Sequence, residues 1–395
     1  MGYLTTETLP PELRTTAPFP TSRFLQNLKL LALCSAVLIA VSCGGGGGGG
    51  STTPPRTTPS QVATPTISAT AAQNGAQVVS LADSTSGASI YYTLDGSAPT
   101  TSSTRYFAPF LIDTSATVTA MGALSGDTNS STATQMFSSS VPTDILVWSD
   151  EFSNSTGANA QPNPSLWTYD TGNSGFGNSE LENYCAWGSS SSPCDPANPN
   201  AYVGTDGYLH IVARNPAASV YTSARLKSQG LFSFDYGRIE ARIKLPEGQG
   251  LWPAFWLLGN NITASPWPAC GEQDIMEHID APSPDWVEGS IHGTGLNGGI
   301  QYLGGGASFS ASDWHVYGMI WSKGTVSYYV DTPSNVYATF MNSGLPAGEV
   351  WPFESNGGAF VILNLAVGGN WPGSPDGTTP FPSEMLVDYV RIYTN

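Results

Sequence analysis

The chain has 395 residues, rich in Gly (44) and Pro (30), with only 11% charged residues and a net charge of −17. This composition predicts an exported, β-rich protein of about two domains. The acidic excess argues against nucleic acid, since an anionic polymer is repelled over roughly a Debye length, and favours a neutral or mildly acidic ligand.

The first 43 residues predict an export signal, in which Arg23 and Lys29 precede the apolar run Leu30 to Val41. That run is shorter than the ~20 residues a permanent transmembrane helix needs. It closes on Ala40-Val41-Ser42-Cys43 and resembles a bacterial lipobox, which implies a lipid on Cys43 and a protein anchored at the cell envelope. Ordinary secretory cleavage nearby is the alternative, and the polar stretch before Arg23 is long for either signal. Residues 44–62, Gly-rich and then Thr/Pro-rich, cannot bury apolar surface and are expected to be a tether.

Residues 63–138 alternate in short β-like runs, among them 76–81, 89–93 and 116–121, separated by turn residues. A small β-sandwich is predicted, with Tyr91 and Tyr92 in core and cross-strand packing. The stretch Ser89 to Thr100 resembles the immunoglobulin-like module found at the carboxyl end of chitobiases. Its expected role is a spacer rather than a glycan binder, because the segment holds no Trp platform. Residues 139–144 read as a polar linker.

From Ile145 to Asn395 many β-like runs, turns of Gly, Asn, Asp and Pro, and almost no helical periodicity predict a two-sheet sandwich whose curved sheet forms a groove. Cys185 and Cys194 lie close enough in sequence to close a loop, and whether they pair stays open; Cys270 is expected to be a buried, small apolar residue. Trp252 and Trp256 fall on one face of a strand, and Phe255 and Leu257 on the other. The tryptophans are therefore expected to point outward as platforms for sugar rings.

The densest chemistry is Glu272-Gln273-Asp274-Ile275-Met276-Glu277. Strict alternation puts Glu272 and Asp274 on one face and Glu277 on the other. One extra residue held as a bulge, at Ile275 or Met276, would return Glu277 to the face of the other two. Gln273 would then point between the sheets, where its amide needs partners or costs about 1–3 kcal/mol. Three carboxylates in one cleft suit glycosidic cleavage, where one attacks and another donates a proton. An acidic edge strand or a calcium loop is the plainer alternative, and the Trp-rich flanks speak against the calcium loop.

These carboxylates, with Trp148-Ser149-Asp150-Glu151-Phe152, Gly237 to Lys244, Leu251 to Gly259 and Val387 to Tyr393, resemble a family 16 glycoside hydrolase of the laminarinase type over the whole stretch 145–395. The resemblance implies an all-β jelly roll of the concanavalin A-like kind and endo-hydrolysis of β-1,3-glucan with retention. Mixed-linkage glucans fall within its range, and agarase or carrageenase specificity and a non-catalytic glucan-recognition role are the competing readings. It implies Glu272 as nucleophile, Glu277 as acid/base and Asp274 as their orienting partner. Substrate contacts would come from Trp252, Trp256, Arg225, Asn178, His292, Asn364 and Trp371. No cofactor is implied for catalysis, but a structural calcium at Glu151, the carbonyl of Gly207 and Asp388 is. The expected partner is a β-glucan, met by a monomer that touches a membrane only through its lipid. Three positions depart from the family pattern: Gln273 in place of an aliphatic residue, and Ser179 and Glu182 in place of Asn and Gln.

Overall fold

The structure, a computed structural model, describes residues 59–281, 284–302 and 309–395. The signal, Cys43 and nearly all of the tether lie outside the described residues. Among these residues the chain is almost wholly β, and its helical turns are the two short segments Gln73–Gly75 and Asn260–Thr263.

Residues 66–140 build two small sheets. One pairs Thr66–Ala71 with Gln77–Ala82 and Phe110–Ile112; the other orders Thr104–Arg105, Ser89–Thr93, Thr114–Ala123 and Ala133–Ser140. Val79, Leu81, Ile90, Val118 and Phe137 fill the space between them, and Tyr92 stacks on Phe110 at 4.8 Å. Tyr91, next along the strand, is only half-buried, as alternation requires.

This module is seated on the larger sandwich. Ala76 belongs to the larger hydrophobic core, with Val78, Leu111 and Val141 packed against it. Ser233 donates its backbone N–H to Pro109 and accepts from Leu111. Gln73 donates to Ser149 at 2.9 Å and Asn74 to the Leu146 carbonyl at 2.7 Å. The connecting segment is pinned as well, since Thr394 donates to the Pro142 carbonyl and Arg238 pairs with Asp144.

The larger sandwich has a cleft sheet and a backing sheet. The cleft sheet holds β1 (Thr168–Asp170), β2 (Arg225–Lys227), β3 (Leu251–Gly259), β4 (Glu272–Glu277), β5 (Val287–His292), β6 (Asn297–Tyr302) and β7 (Ala359–Val367). Their spatial order is β6-β5-β4-β3-β7-β2-β1. The backing sheet runs mainly through Leu209–Ala217, Ser383–Tyr393, Gly237–Lys244, Trp314–Ser322, Thr325–Val330 and Val336–Met341. Phe255, Leu257, Ile275, Met276, Leu363 and Leu365 meet Ile239, Ile243, Met319, Trp321, Val326 and Tyr328 in one core. Each such side chain contributes about 1.5–3 kcal/mol on burial, which makes the cleft sheet a firm base for the groups on its other face. Cys185 and Cys194 are bridged, with Cα atoms 5.7 Å apart, and Cys270 is a buried free thiol.

Candidate active site

The backbone of β4 positions the site. Gly271, at φ +85°, launches it through a turn where a Cβ would lie 2.7 Å from Pro352 Cγ. Along the strand, Trp256 pairs with Asp274 and Phe255 with Met276, so Ile275 is the extra residue opposite β3. On the other side the register with β5 jumps between Asp274 and Glu277. Ile275 and Met276 are consecutive yet both sit in the core between the sheets. Two successive inward side chains are what regular alternation forbids and a bulge permits. The bulge thus falls where the carboxylate spacing demanded it, and Glu272, Asp274 and Glu277 all line one cleft of about 840 Å³. Gln273 points inward and is 1% exposed, with no hydrogen-bond partner for its amide nitrogen among the described residues.

Trp252 and Trp256 face the cleft while Phe255 and Leu257 are buried behind them. Each indole N–H is fixed: Trp252 Nε1 donates to Glu277 Oε1 at 3.0 Å and Trp256 Nε1 to Asn364 Oδ1 at 2.7 Å. The Arg225 guanidinium lies 4.6 Å over the Trp256 ring and is aimed by Asp170 at 3.0 Å. One face of Trp256 is therefore engaged by the cation, and the platform it offers a sugar is the remaining ring surface. Trp371 meets Trp252 edge to face at 5.4 Å and Trp286 at 5.8 Å, forming an indole trio beside Glu277. Asn178 lies in the cleft wall, where its carbonyl accepts the Asn370 N–H at 2.7 Å.

His292 is more than a binding residue. Its Nε2 lies 3.1 Å from Asp274 Oδ2 and 3.7 Å from Glu272 Oε1. Burial alone would lower its pKa, but the hydrogen bond and charge of Asp274, with Glu272 and Glu277 behind it, lift the pKa to about 9. His292 is thus an imidazolium at neutral pH, placed inside a group of carboxylates. Ser290, two residues earlier on the same face of β5, donates to Asp274 Oδ2 at 2.6 Å and lies 3.3 Å from Glu277 Oε2.

The two glutamates have unlike surroundings. Burial first, then the charge of Asp274, pushes Glu272 above the usual carboxylate range, while His292, Arg225 and a hydrogen bond from Trp267 pull it back. Glu277 is pushed up further, by burial, by Asp274 and by Glu272, with His292 the counterweight. A proton shared by this cluster therefore rests on Glu277, leaving Glu272 the more acidic of the pair.

Four residues of the site were missed by reading the chain alone. Trp267, 56% exposed in the loop before β4, hydrogen-bonds Glu272. An exposed Trp so near the carboxylates was the available signal. Ser290 could have been found from its parity with His292. Glu180 and Tyr184 carry no such signal: Tyr184 donates to Glu180 at 2.9 Å and accepts from Asn364 at 3.2 Å, extending the Trp256–Asn364 bond into the wall. Glu182, one of the positions that depart from the family pattern, is fully buried. It accepts the Val367 N–H at 2.7 Å, and burial together with the neighbouring Glu180 raises its pKa to about 8.

At the positions expected to hold calcium, Glu151 is held by Arg391 at 2.8 and 3.0 Å, and Asp388 by Arg242 at 2.8 Å. Gly207 is part of the turn joining Gly204 to Tyr208. Carboxylates already neutralised by guanidinium groups do not fit a hard-cation cage as they stand, and no step of the chemistry passes through them.

An all-β sandwich whose cleft presents two glutamates in unlike electrostatic settings, an aspartate between them and tryptophan rings beside them defines a glycoside hydrolase. Residues 194–391 match the glycosyl hydrolases family 16, and residues 68–135 the chitobiase/beta-hexosaminidase C-terminal domain. A beta-glucanase of Rhodothermus marinus is 39% identical over 261 residues, covering 63% of this chain and 84% of the relative. The laminarinase catalytic domain of Thermotoga maritima is 38% identical with a TM-score of 0.55, covering 64% of this chain and 99% of that one. The endo-beta-1,3-glucanase of Pyrococcus furiosus is 38% identical, also at a TM-score of 0.55, covering 64% and 98%. The chain belongs to glycosyl hydrolase family 16.

Proposed function

We propose that the protein cleaves internal β-1,3 bonds of β-glucans with retention of configuration, mixed-linkage glucans falling within its range. The observation that carries this reading is the bulge in β4, which turns Glu272 and Glu277 to one cleft in unlike environments. Glu272, in its ionised form, which His292, Arg225 and Trp267 favour against burial and the charge of Asp274, attacks the anomeric carbon. Glu277 gives its proton to the departing glycosidic oxygen and afterwards takes one from the attacking water. Asp274 orients both through Ser290 and His292. Trp256 and Arg225 grip the non-reducing side, and the indole trio encloses the region of Glu277. The cleft needs no organic cofactor for these steps.

Release of reducing ends from laminarin, lichenan, agarose and carrageenan tests the substrate, and activity confined to the algal galactans would overturn it. Proton NMR of the first product should show the β-anomer before mutarotation. Glu272→Gln should abolish turnover while retaining glucan affinity; turnover equal to the parent would remove Glu272 from the mechanism. Retained carboxylates argue against a recognition-only role.

The sequence Ala40 to Cys43, followed by a glycine tether, supports a lipid anchor at the cell envelope. Detergent partition of the parent against a Cys43→Ser variant tests this, and a parent that stays in the aqueous phase would sink it.

A further inference from the structure

Besides Glu180 in the wall, one further carboxylate in the cleft is not used by the chemistry above. Glu288 on β5 lies directly across from Glu277 in the strand register and lines the same cleft. Its side chain lies over β6, where Gly299 makes room for it: a Cβ at Gly299 would sit 2.3 Å from Glu288 Oε1. Gln301, on the same face of β6, reaches its other oxygen at 3.3 Å. Around it the cleft is lined by Ser290, His292, Leu296, Asn297 and glycines, with Trp267 meeting the His292 ring at 6.3 Å.

We propose that Glu288 is a specificity-determining residue for the sugar on the leaving-group side, and that its carboxylate accepts hydrogen bonds from the hydroxyls of that sugar. The argument rests on the hydrolase reading. With Arg225 and Trp256 gripping the non-reducing side across β7 and β2, the chain that leaves must cross β5 and β6. Among the described residues the cleft face of β5 and β6 themselves carries polar side chains and glycine backbone, and the ring near it is Trp267, beside His292 rather than Glu288. A carboxylate held from one side by Gln301 suits a pair of neighbouring hydroxyls, which donate where it can only accept. Gly299 keeps the carboxylate low in the cleft and leaves the space above it to the sugar.

The test compares laminaritetraose with 4-nitrophenyl β-laminaribioside, whose leaving group is not a sugar. In Glu288→Gln the ratio of kcat/KM for the tetraose to that for the aryl glycoside should fall about tenfold, the loss expected for a hydrogen bond to a charged group. Gln301→Ala, at a more exposed position, should move the same ratio in the same direction by a smaller factor and covers the case in which Glu288→Gln folds poorly. An equal loss on both substrates would mean that Glu288 acts only through Glu277 and would overturn the proposal. An unchanged ratio in both variants would overturn it too. A parent enzyme that cleaves neither substrate would instead refute the hydrolase reading itself.

Discussion

The two halves of the cleft are cut from one sheet and obey one alternation, yet they are built for different work. On the side of β3, β7 and β2 the cleft face carries Trp252, Trp256, Arg225 and Asn364, with each indole N–H hydrogen-bonded. On the side of β5 and β6 it carries Glu288, Ser290, His292, Asn297 and Gly299. The first half grips through ring faces and a rigid polar backing. The second sets charge, because His292 and Ser290 hold the proton distribution among the carboxylates of β4. Platform and charge control can thus be separated across a single strand, with the bulge as the seam.

The sharpest way to break this division is to damage the seam. Inserting one Ala after Ile275 reverses the parity of Glu277 relative to Glu272 and should reduce hydrolysis of laminarin by about 10⁴-fold or more. Deleting Met276 restores plain alternation and should retain some hydrolysis. It also removes a fully buried side chain, so thermal unfolding should report a loss of about 2–5 kcal/mol. Equal activity of the insertion variant and the parent would show that the bulge is dispensable.

On the gripping side, Trp252→Phe keeps an aromatic ring but loses the bond to Glu277 Oε1, and kcat/KM should fall about tenfold or more, largely through kcat. Trp256→Phe loses the bond to Asn364, further from the acid, and should raise KM more than it lowers kcat. Identical kinetic signatures in the two variants would erase the distinction between them.

On the charge-setting side, His292→Gln removes the cation that lowers both Glu272 and Glu277. The acid limb of the pH–rate profile follows protonation of Glu272 and the alkaline limb loss of the proton from Glu277. Both pKa values rise without the cation, so both limbs should move to higher pH. Asp274→Asn should move the alkaline limb the other way, because the Asp274 charge is what raises Glu277 after burial. Movement of neither limb would confine His292 to substrate binding. The smallest effect is expected of Tyr184→Phe, which breaks the Glu180–Tyr184–Asn364 chain behind Trp256 and should change KM by about threefold.

Much of this could be read from the chain. Period-two alternation places Trp252 and Trp256 opposite Phe255 and Leu257, and the spacing of three carboxylates calls for a bulge at Ile275 or Met276, because strand faces are a local, steric matter. The β-sandwich class follows from the same local pattern. What depends on partners outside a residue's own strand was decided only by the fold. His292 gains its charge from Asp274 on a neighbouring strand, and Glu182 is buried against Val367. Cys185 and Cys194 are brought to bridging distance, and residues 139–144, read as a polar linker, are pinned by Thr394 and Arg238. The module expected to be a spacer shares Ala76 with the larger core. A residue's propensity and parity belong to its neighbours in sequence. Its burial, its ionisation and the partner of its hydrogen bond are set by groups on other strands and loops, from the neighbouring strand for His292 to segments far along the chain for Glu182 and Thr394, and these come into range only when the sheets form and close on one another.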